Sequence, residues 1–382
     1  MAKLGDIATI QSGGTPARSI AEYWEDGTIP WVKISDIKSK HLNQTEEMIT
    51  EAGLENSSAK IFPKGTILYT IFATLGETSI LDINAATNQA IAGISITDSR
   101  VLPDYLYYYL LSQKIHVQKI GRGVAQNNIN MKLLRDFDVP LPSKEAQLNI
   151  IEQLNRVTEL LFLRKQQLTK LDELIKARFV EMFGDMLLNS LEWPEKPLEG
   201  LADIVSGITK GRKTTETGLI EVPYMAVSNV KSGYIDWTTI KTILATKQEI
   251  EQYRLMPDDI LMTEGGDPDK VGRGAIIKNP LENSIHQNHI FRVRLYESEL
   301  LPAYFAEYLQ HQKAKRYFLG CAKQTTGIAS INMRQLRALP VVIPPLPLQN
   351  QFAAFVAEVD KSKLLAELFA QSTCILAENR SK

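Results

Sequence analysis

Cysteine is nearly absent from this chain: two residues, Cys321 and Cys374, among 382. They are too far apart in sequence for a metal-binding pair, and two thiols make no disulfide framework. Histidine is also scarce. His286 and His289 stand three apart, but no cysteine or carboxylate cluster accompanies them, which leaves no basis for a zinc centre. No apolar run reaches 18 residues, so no membrane-spanning helix is expected. The start, "MAKLGD", carries charges where a signal peptide is apolar. The expected setting is therefore cytoplasmic, with reduced thiols. Net charge is lacking too, at −1. Residues 1–150 hold 14 Lys/Arg against 16 Asp/Glu, and residues 191–350 hold 19 against 18. Any nucleic-acid surface must then be a local patch. Catalytic signatures are missing as well. There is no Gly-x-Ser-x-Gly elbow, no phosphate-binding loop ending Gly-Lys-Ser/Thr, and no Asn/Asp-Pro-Pro-Tyr methyltransferase motif. Residues 264–274, "EGGDPDKVGRG", look superficially phosphate-binding, but the lysine is misplaced and three carboxylates accompany it.

What the chain does have is itself, twice. "LGDI" at 4–7 matches "LADI" at 201–204, and "IPWVKISDI" at 29–37 matches "VPYMAVSNV" at 222–230. "LPDYLYYYL" from 102 matches "LPAYFAEYL" from 301, and Ile-Asn-Met recurs at 129–131 and 331–333. The offset drifts from about 193 to about 202, as small loop insertions would make it. One long period means duplication of a whole domain with its connector, since solenoids repeat every 20–50 residues.

Each copy opens with β-branched runs between Gly, Pro, Asn and Asp, which read as short strands. A short helix opened by Leu-Pro follows, then a polar loop, the Ile-Asn-Met phrase, and a strand-like run closed by prolines. Beyond the prolines the pattern turns helical. Ile150, Leu154, Val157, Leu161, Leu168, Leu171, Ile175 and Met182 alternate steps of four and three, a heptad seam with Arg164 and Arg178 at seam positions. Such a rod would be about 50 Å long. The second copy carries Phe352, Val356, Val359, Leu365 and Phe369, with a phase slip expected near residues 361–363. A long amphipathic helix can pack on its own domain or pair with another. Here the same chain supplies two, and successive domain–helix units pair antiparallel. The expected fold is α+β, two similar mixed α/β domains separated by a pair of long antiparallel coiled-coil helices with approximate two-fold symmetry.

Together, "LGDIATIQSGGTP", "IPWVKISDI", "TNQAIAGI", the Leu-Pro-x-Tyr helix, "INMxxLR" with its prolines and glutamine, and "LIKARFVEMFGD" resemble the specificity subunit of type I restriction–modification systems, over essentially the whole chain. The resemblance implies target recognition domains at 1–148 and 186–348 and spacer helices at 149–185 and 349–382. It implies a non-catalytic chain that reads an asymmetric, bipartite site on double-stranded DNA. Two methyltransferase subunits would dock, carrying S-adenosylmethionine, and restriction subunits using ATP and Mg would join them. This chain itself would hold no cofactor or metal and touch no membrane. Leu154, Val157, Leu161, Leu168, Leu171, Ile175, Val356, Val359, Leu365 and Phe369 would pair the helices or dock partners. The competing reading is a duplicated coiled-coil adaptor that binds proteins and not DNA, which the near-zero charge favours.

Candidate DNA contacts follow from residue type. Lys33, Ser35 and Lys38 match Ala226, Ser228 and Lys231 across the repeat. Lys210, Arg212 and Lys213 form the densest basic cluster. Lys270 and Arg273 sit in the glycine-rich stretch, where backbone can approach a phosphate. Arg122, Gln126, Asn127 and Asn128 precede the first Ile-Asn-Met phrase, and Lys323 and Gln324 precede the second. Each group also fits a solvated turn. Asn130 and Asn332 read as structural ties to the next element. Tyr107, Tyr108 and Tyr109 fit either a core or a base-stacking face.

Overall fold

The computed structural model describes residues 1–121, 128–212, 218–267, 270–325 and 328–380. It divides into two compact units, residues 1–162 with 373–382, and residues 163–372. Among the described residues, no helix is long and apolar enough to cross a membrane.

The two units use the same strand order. In the first, Ala8–Ser12, Ile91–Ile96, Ile67–Thr70 and Thr78–Leu81 lie side by side as antiparallel neighbours, with His41–Leu42 at the edge. In the second, Ala202–Ser206, Ile290–Leu295, Ile260–Thr263 and Gly274–Ile276 do the same. A second small sheet in each unit contains a parallel pair. It is Ile29–Val32 beside Ala85–Thr87 in one, and Ile220–Met225 beside Ile285–His286 in the other. The Leu-Pro helices, Pro103–Ser112 and Pro302–Tyr308, place proline in the first turn, where no N–H is needed.

The polar skeleton is duplicated as well. Asn130 caps Met131–Arg135 by accepting from Leu133 N–H at 2.8 Å, and Asn332 caps Met333–Arg337 from Gln335 N–H at 3.0 Å. Both asparagines are thus structural ties. Tyr105 and Tyr109 donate to the carbonyls of Pro140 and Asp138, and Tyr304 and Tyr308 to those of Val342 and Pro340. Tyr107 is buried in the core of the first unit.

The sharpest duplication is at the helix entrances. Gln147 is fully buried; its Oε1 accepts from Leu102 N–H at 3.0 Å, and its Nε2 donates to the carbonyls of Arg100 and Pro142 at 2.9 and 3.0 Å. Gln349, also fully buried, accepts from Leu301 N–H at 2.8 Å and donates to the carbonyls of Glu299 and Pro344 at 2.8 and 2.7 Å. Each glutamine therefore ties the first turn of a long helix to the start of its Leu-Pro helix.

The long helices are Lys144–Phe183 and Leu346–Arg380, of 40 and 35 residues. Each begins a few residues before the expected 149 and 349. Lys144 and Glu145 open the first helix exposed, and Ser143 accepts from Ala146 N–H at 3.2 Å. In the first helix Leu154, Val157, Leu161, Arg164, Leu168 and Leu171 are half-buried and Ile175 is buried, while the residues between them are exposed. Arg164 and Arg178 hold their seam positions because a long aliphatic stem can lie on apolar surface while its head reaches water. Ile150 is 37% exposed, and the half-buried Ile151 packs on the core in its place.

In the second unit the two helices run antiparallel. Lys363 Nζ lies 2.6 Å from Asp172 Oδ1, and further along Phe352 packs against Phe179 and Phe183 at 5.4 and 5.6 Å between ring centroids. The expected phase slip does not occur. Phe352, Val356, Val359, Lys363 and Ala366 continue the alternation, and Leu365 is 57% exposed. The Asp172 carboxylate holds Lys363 at the seam, where apolar counting skips a lysine. Phe369 belongs to the second helix, but its side chain lies outside the described residues. At its far end the first helix shifts to steps of four. Ile175, Phe179 and Phe183 enter the core of the second unit beside Tyr304 and Phe352.

Candidate nucleic-acid interface

Each parallel strand pair ends in one recurring turn. After Val32 the chain makes a single 3-10 turn, Ile34–Asp36, in which Asp36 Oδ2 accepts from Lys33 N–H at 2.8 Å. After Met225 it makes Val227–Asn229, and Asn229 Oδ1 accepts from Ala226 N–H at 2.9 Å. The Asp/Asn of "ISDI" and "VSNV" is thus spent on closing the turn. That leaves Ser35 and Ser228 exposed on it. Glycine supplies the close packing beneath. A Cβ on Gly13 would collide with Thr87, and one on Gly207 with the carbonyl of His286.

The segment joining this turn to the next loop is "TNQA" at 87–90 and "HQNH" at 286–289. Asn88 N–H donates to Val32 O at 3.1 Å, and Ala90 O accepts from Ile71 N–H at 2.9 Å. In the second unit Gln287 N–H donates to Met225 O at 3.0 Å, and its side chain accepts from Val227 N–H at 3.3 Å. Beyond it, His289 O accepts from Glu264 N–H at 3.0 Å, and His289 Nδ1 lies 2.6 Å from Glu264 Oε2. This segment therefore links the turn to the loop that follows Ile67–Thr70 in the first unit and to the glycine-rich loop that follows Ile260–Thr263 in the second. Gln89 and His289 are exposed there, and Gln287 and Asn288 half-buried. Of the four, residue type singles out His289, as one of the two histidines three apart, and Gln89 lies within "TNQAIAGI"; Gln287 and Asn288 carry no such mark. The signal available was the match of "TNQA" with "HQNH" across the repeat.

The glycine-rich loop meets the loop before Ile-Asn-Met. Gly265–Gly266, Ile328–Ser330 and Lys323–Thr325 form a three-stranded ribbon, which puts Lys323 beside Gly265 through Ser330. Lys270 stands at the same loop, exposed and ion-paired with Asp267. Arg273 is half-buried. In the first unit the matching contact among the described residues is a bridge between Phe72 and Asn128. Phe72 is 42% exposed, where the second unit has glycine.

Other candidates are already engaged. Lys33 Nζ lies 3.0 Å from Glu46 and 2.8 Å from Glu47, and these glutamates hold its ammonium above the usual lysine value. Lys38 reaches Glu46 at 3.6 Å and is largely exposed. Lys231 lies 3.8 Å from Asp236. Arg212 makes a two-pronged pair with Glu249, at 2.7 and 2.5 Å, and a third bond to Leu244 O. The guanidinium holds the Glu249 carboxyl below its ordinary value. Of the basic cluster, Lys210 is exposed. Arg122, Gln126, Asn127 and Lys213 lie outside the described residues, as does the side chain of Gln324.

Histidines 286 and 289 diverge. His286 is fully buried and its Nδ1 donates to Ile290 O at 3.1 Å; burial pushes its pKa down to about 4. Among the described residues no group of three or more His, Cys, Asp and Glu could hold a metal ion.

Comparison with known proteins bears on the same two copies. The family model described as "Type I restriction modification DNA specificity domain" matches residues 1–173 and again residues 190–370. The chain is 25% identical to the type I restriction enzyme MjaIX specificity subunit of Methanocaldococcus jannaschii, over 93% of this chain and 85% of that protein. It is 20% identical to the type I restriction enzyme EcoKI specificity subunit of Escherichia coli, over 94% and 81%. The fold is shared with the crystal structure of the type I restriction–modification S subunit from M. genitalium, at a TM-score of 0.52 and 16% identity, over 99% of this chain and 93% of that chain.

Proposed function

This chain belongs to the family of type I restriction–modification DNA specificity domains, and from that premise we propose that it is the DNA-reading subunit of such a complex and catalyses nothing itself. Each unit reads one part of a split, asymmetric site on double-stranded DNA. The paired helices hold the two readers apart and dock two methyltransferase subunits, with restriction subunits joining outside. Those partners carry the S-adenosylmethionine, ATP and Mg; this chain needs no cofactor. The complex works in the cytoplasm, where its DNA is.

The observation that carries the reading is one domain-and-helix design written twice with unlike edges. Lys33 faces Ala226 across the repeat, Phe72 faces Gly265, and "TNQA" faces "HQNH". Two unlike readers fit an asymmetric site, as two identical ones would fit a palindrome. A bidentate base contact discriminates by about 1–3 kcal/mol, so one small edge gives little specificity alone. Joining two on one frame raises it through effective concentration. Within each unit, the exposed residues of the 3-10 turn, the linking segment and the neighbouring loops are the proposed contacts: Ser35, Lys38 and Gln89, and Lys210, Ser228, His289, Lys270 and Lys323. The near-neutral charge assigns much of the phosphate grip to the methyltransferase subunits.

The test is a titration of the chain, assembled with the methyltransferase subunits of its own system, against genomic and random duplexes. Sequence-selective binding that weakens with salt is expected. No DNA affinity even at low salt would overturn the reading in favour of a protein-binding adaptor.

A further inference from the structure

Among the described residues, a second polar contact between domain and long helix accompanies the buried glutamine in the first unit. In the first unit, Asn155 Oδ1 on the long helix accepts from Lys40 Nζ at 3.0 Å and from the Tyr108 hydroxyl at 2.6 Å. Lys40 also pairs with Asp104 and sits 4.8 Å from the Tyr108 ring centroid. This is a strap between the recognition domain and its own helix, two turns beyond Gln147. Across the repeat, Lys40, Tyr108 and Asn155 correspond to Gly233, Glu307 and Ala357. None of these can rebuild the strap. A groove of about 780 Å³ lies there instead, lined by Gly233, Glu307, Lys176 and Lys363 among others. Burial pushes the Glu307 carboxyl up, with Lys176 and Lys363 opposing that rise.

Taking the DNA-reading function above as its basis, we infer that Gln147 and Gln349 are positioning residues that set the distance between the two parts of the DNA site. Each fixes the angle at which a recognition domain meets its long helix. Gln147 shares that task with the Lys40–Tyr108–Asn155 strap, whereas Gln349 has apolar packing around Phe352 beside it and no such polar strap among the described residues. A buried glutamine suits such a joint. Its amide has one acceptor and two donors in a fixed plane, and each finds a backbone partner, two in the segment that enters the Leu-Pro helix and one just before the long helix. Replacement by an apolar side chain of like length keeps the packing but leaves Leu301 N–H and two carbonyls without partners. The joint then loses direction before the domain loses its fold.

The experiment uses the full chain with its own methyltransferase subunits, after the methylated site has been mapped. Duplexes carry that site with its natural spacer, or with one base pair added or removed. The wild type should methylate the natural spacing far faster. Gln349→Met should shrink that preference by on the order of tenfold, as the loss of a few net hydrogen bonds allows, with base preference in each half-site kept. Gln147→Met or Asn155→Ala alone should shrink it less, and the double variant should match Gln349→Met. An unchanged spacing preference in Gln349→Met and in the double variant would overturn the inference. So would loss of spacing and base preference in equal measure, which is what a merely structural role produces. If Gln349→Met does not assemble, the double variant decides alone: a broadened spacing supports the joint and an unchanged one refutes it. A wild type that methylates no split site would refute the DNA-reading function instead, a different failure.

Discussion

Tyr108 and Glu307 stand at matching positions in the two units and do opposite things. Tyr108 bonds the long helix through Asn155, and Glu307 lines a groove where that bond is missing. Around them the skeleton is the same: the helix caps Asn130 and Asn332, the tyrosines on strand carbonyls, and the glutamines at the helix entrances. The duplication kept the polar bonds that set the path of the backbone and let the side chains between them change. That is the division expected of a scaffold whose two copies serve different DNA sequences.

The largest difference to exploit is how the first long helix is held. In the first unit its seam is half-buried, as at Val157, whereas in the second Phe179 is 1% exposed within an aromatic cluster. Phe179→Ala should cost about 3–5 kcal/mol in urea unfolding, and Val157→Ala much less. Equal losses would mean that the helix is gripped alike along its length. Next in size is a pH effect confined to one copy. His286 stands where the first unit has Thr87, and its folded pKa of about 4 lies below the ordinary 6.5. The folded state therefore binds fewer protons than the unfolded one. The stability is present above pH 6.5 and falls as pH drops towards 4, by up to about 1.4 kcal/mol per pH unit. His286→Gln should flatten the fall in melting temperature between pH 7 and 5, and identical slopes in wild type and variant would contradict it. The smallest effect is electrostatic. Lys210→Glu and Lys323→Glu should each make the salt dependence of DNA binding shallower, by a slope of about 0.9 per lost phosphate contact. Arg212→Glu should instead destabilise the fold, because it sets two carboxylates against each other at Glu249. An unaltered salt slope for both lysine variants would remove these loops from the interface.

Much of this architecture was legible in the residues. The repeat, the strand-rich domains, the two long helices and the asparagine ties all follow from spacing and residue type. Lys363 was misread because counting apolar residues ignores a lysine whose stem packs and whose head meets Asp172. Phe179 and Phe183 escaped the heptad count because a domain core, not a partner helix, dictates the last turns. Arg212 belonged to a dense basic cluster, a pattern that says nothing of the glutamate folded against it. The glutamines recur in the sequence at one spacing behind the prolines, but as residue types they look solvent-facing and nothing there shows their burial. Only the three backbone partners that the fold brings to each reveal the joint.

The most direct measurement is the methylation pattern left by a chimera. Residues 1–143, which stop just before the first long helix, would be replaced by the matching domain of a relative, in a host carrying the methyltransferase partner. The account predicts a split motif in which one part changes while the other part and the spacer length stay. A continuous motif, or a change in both parts at once, would contradict it.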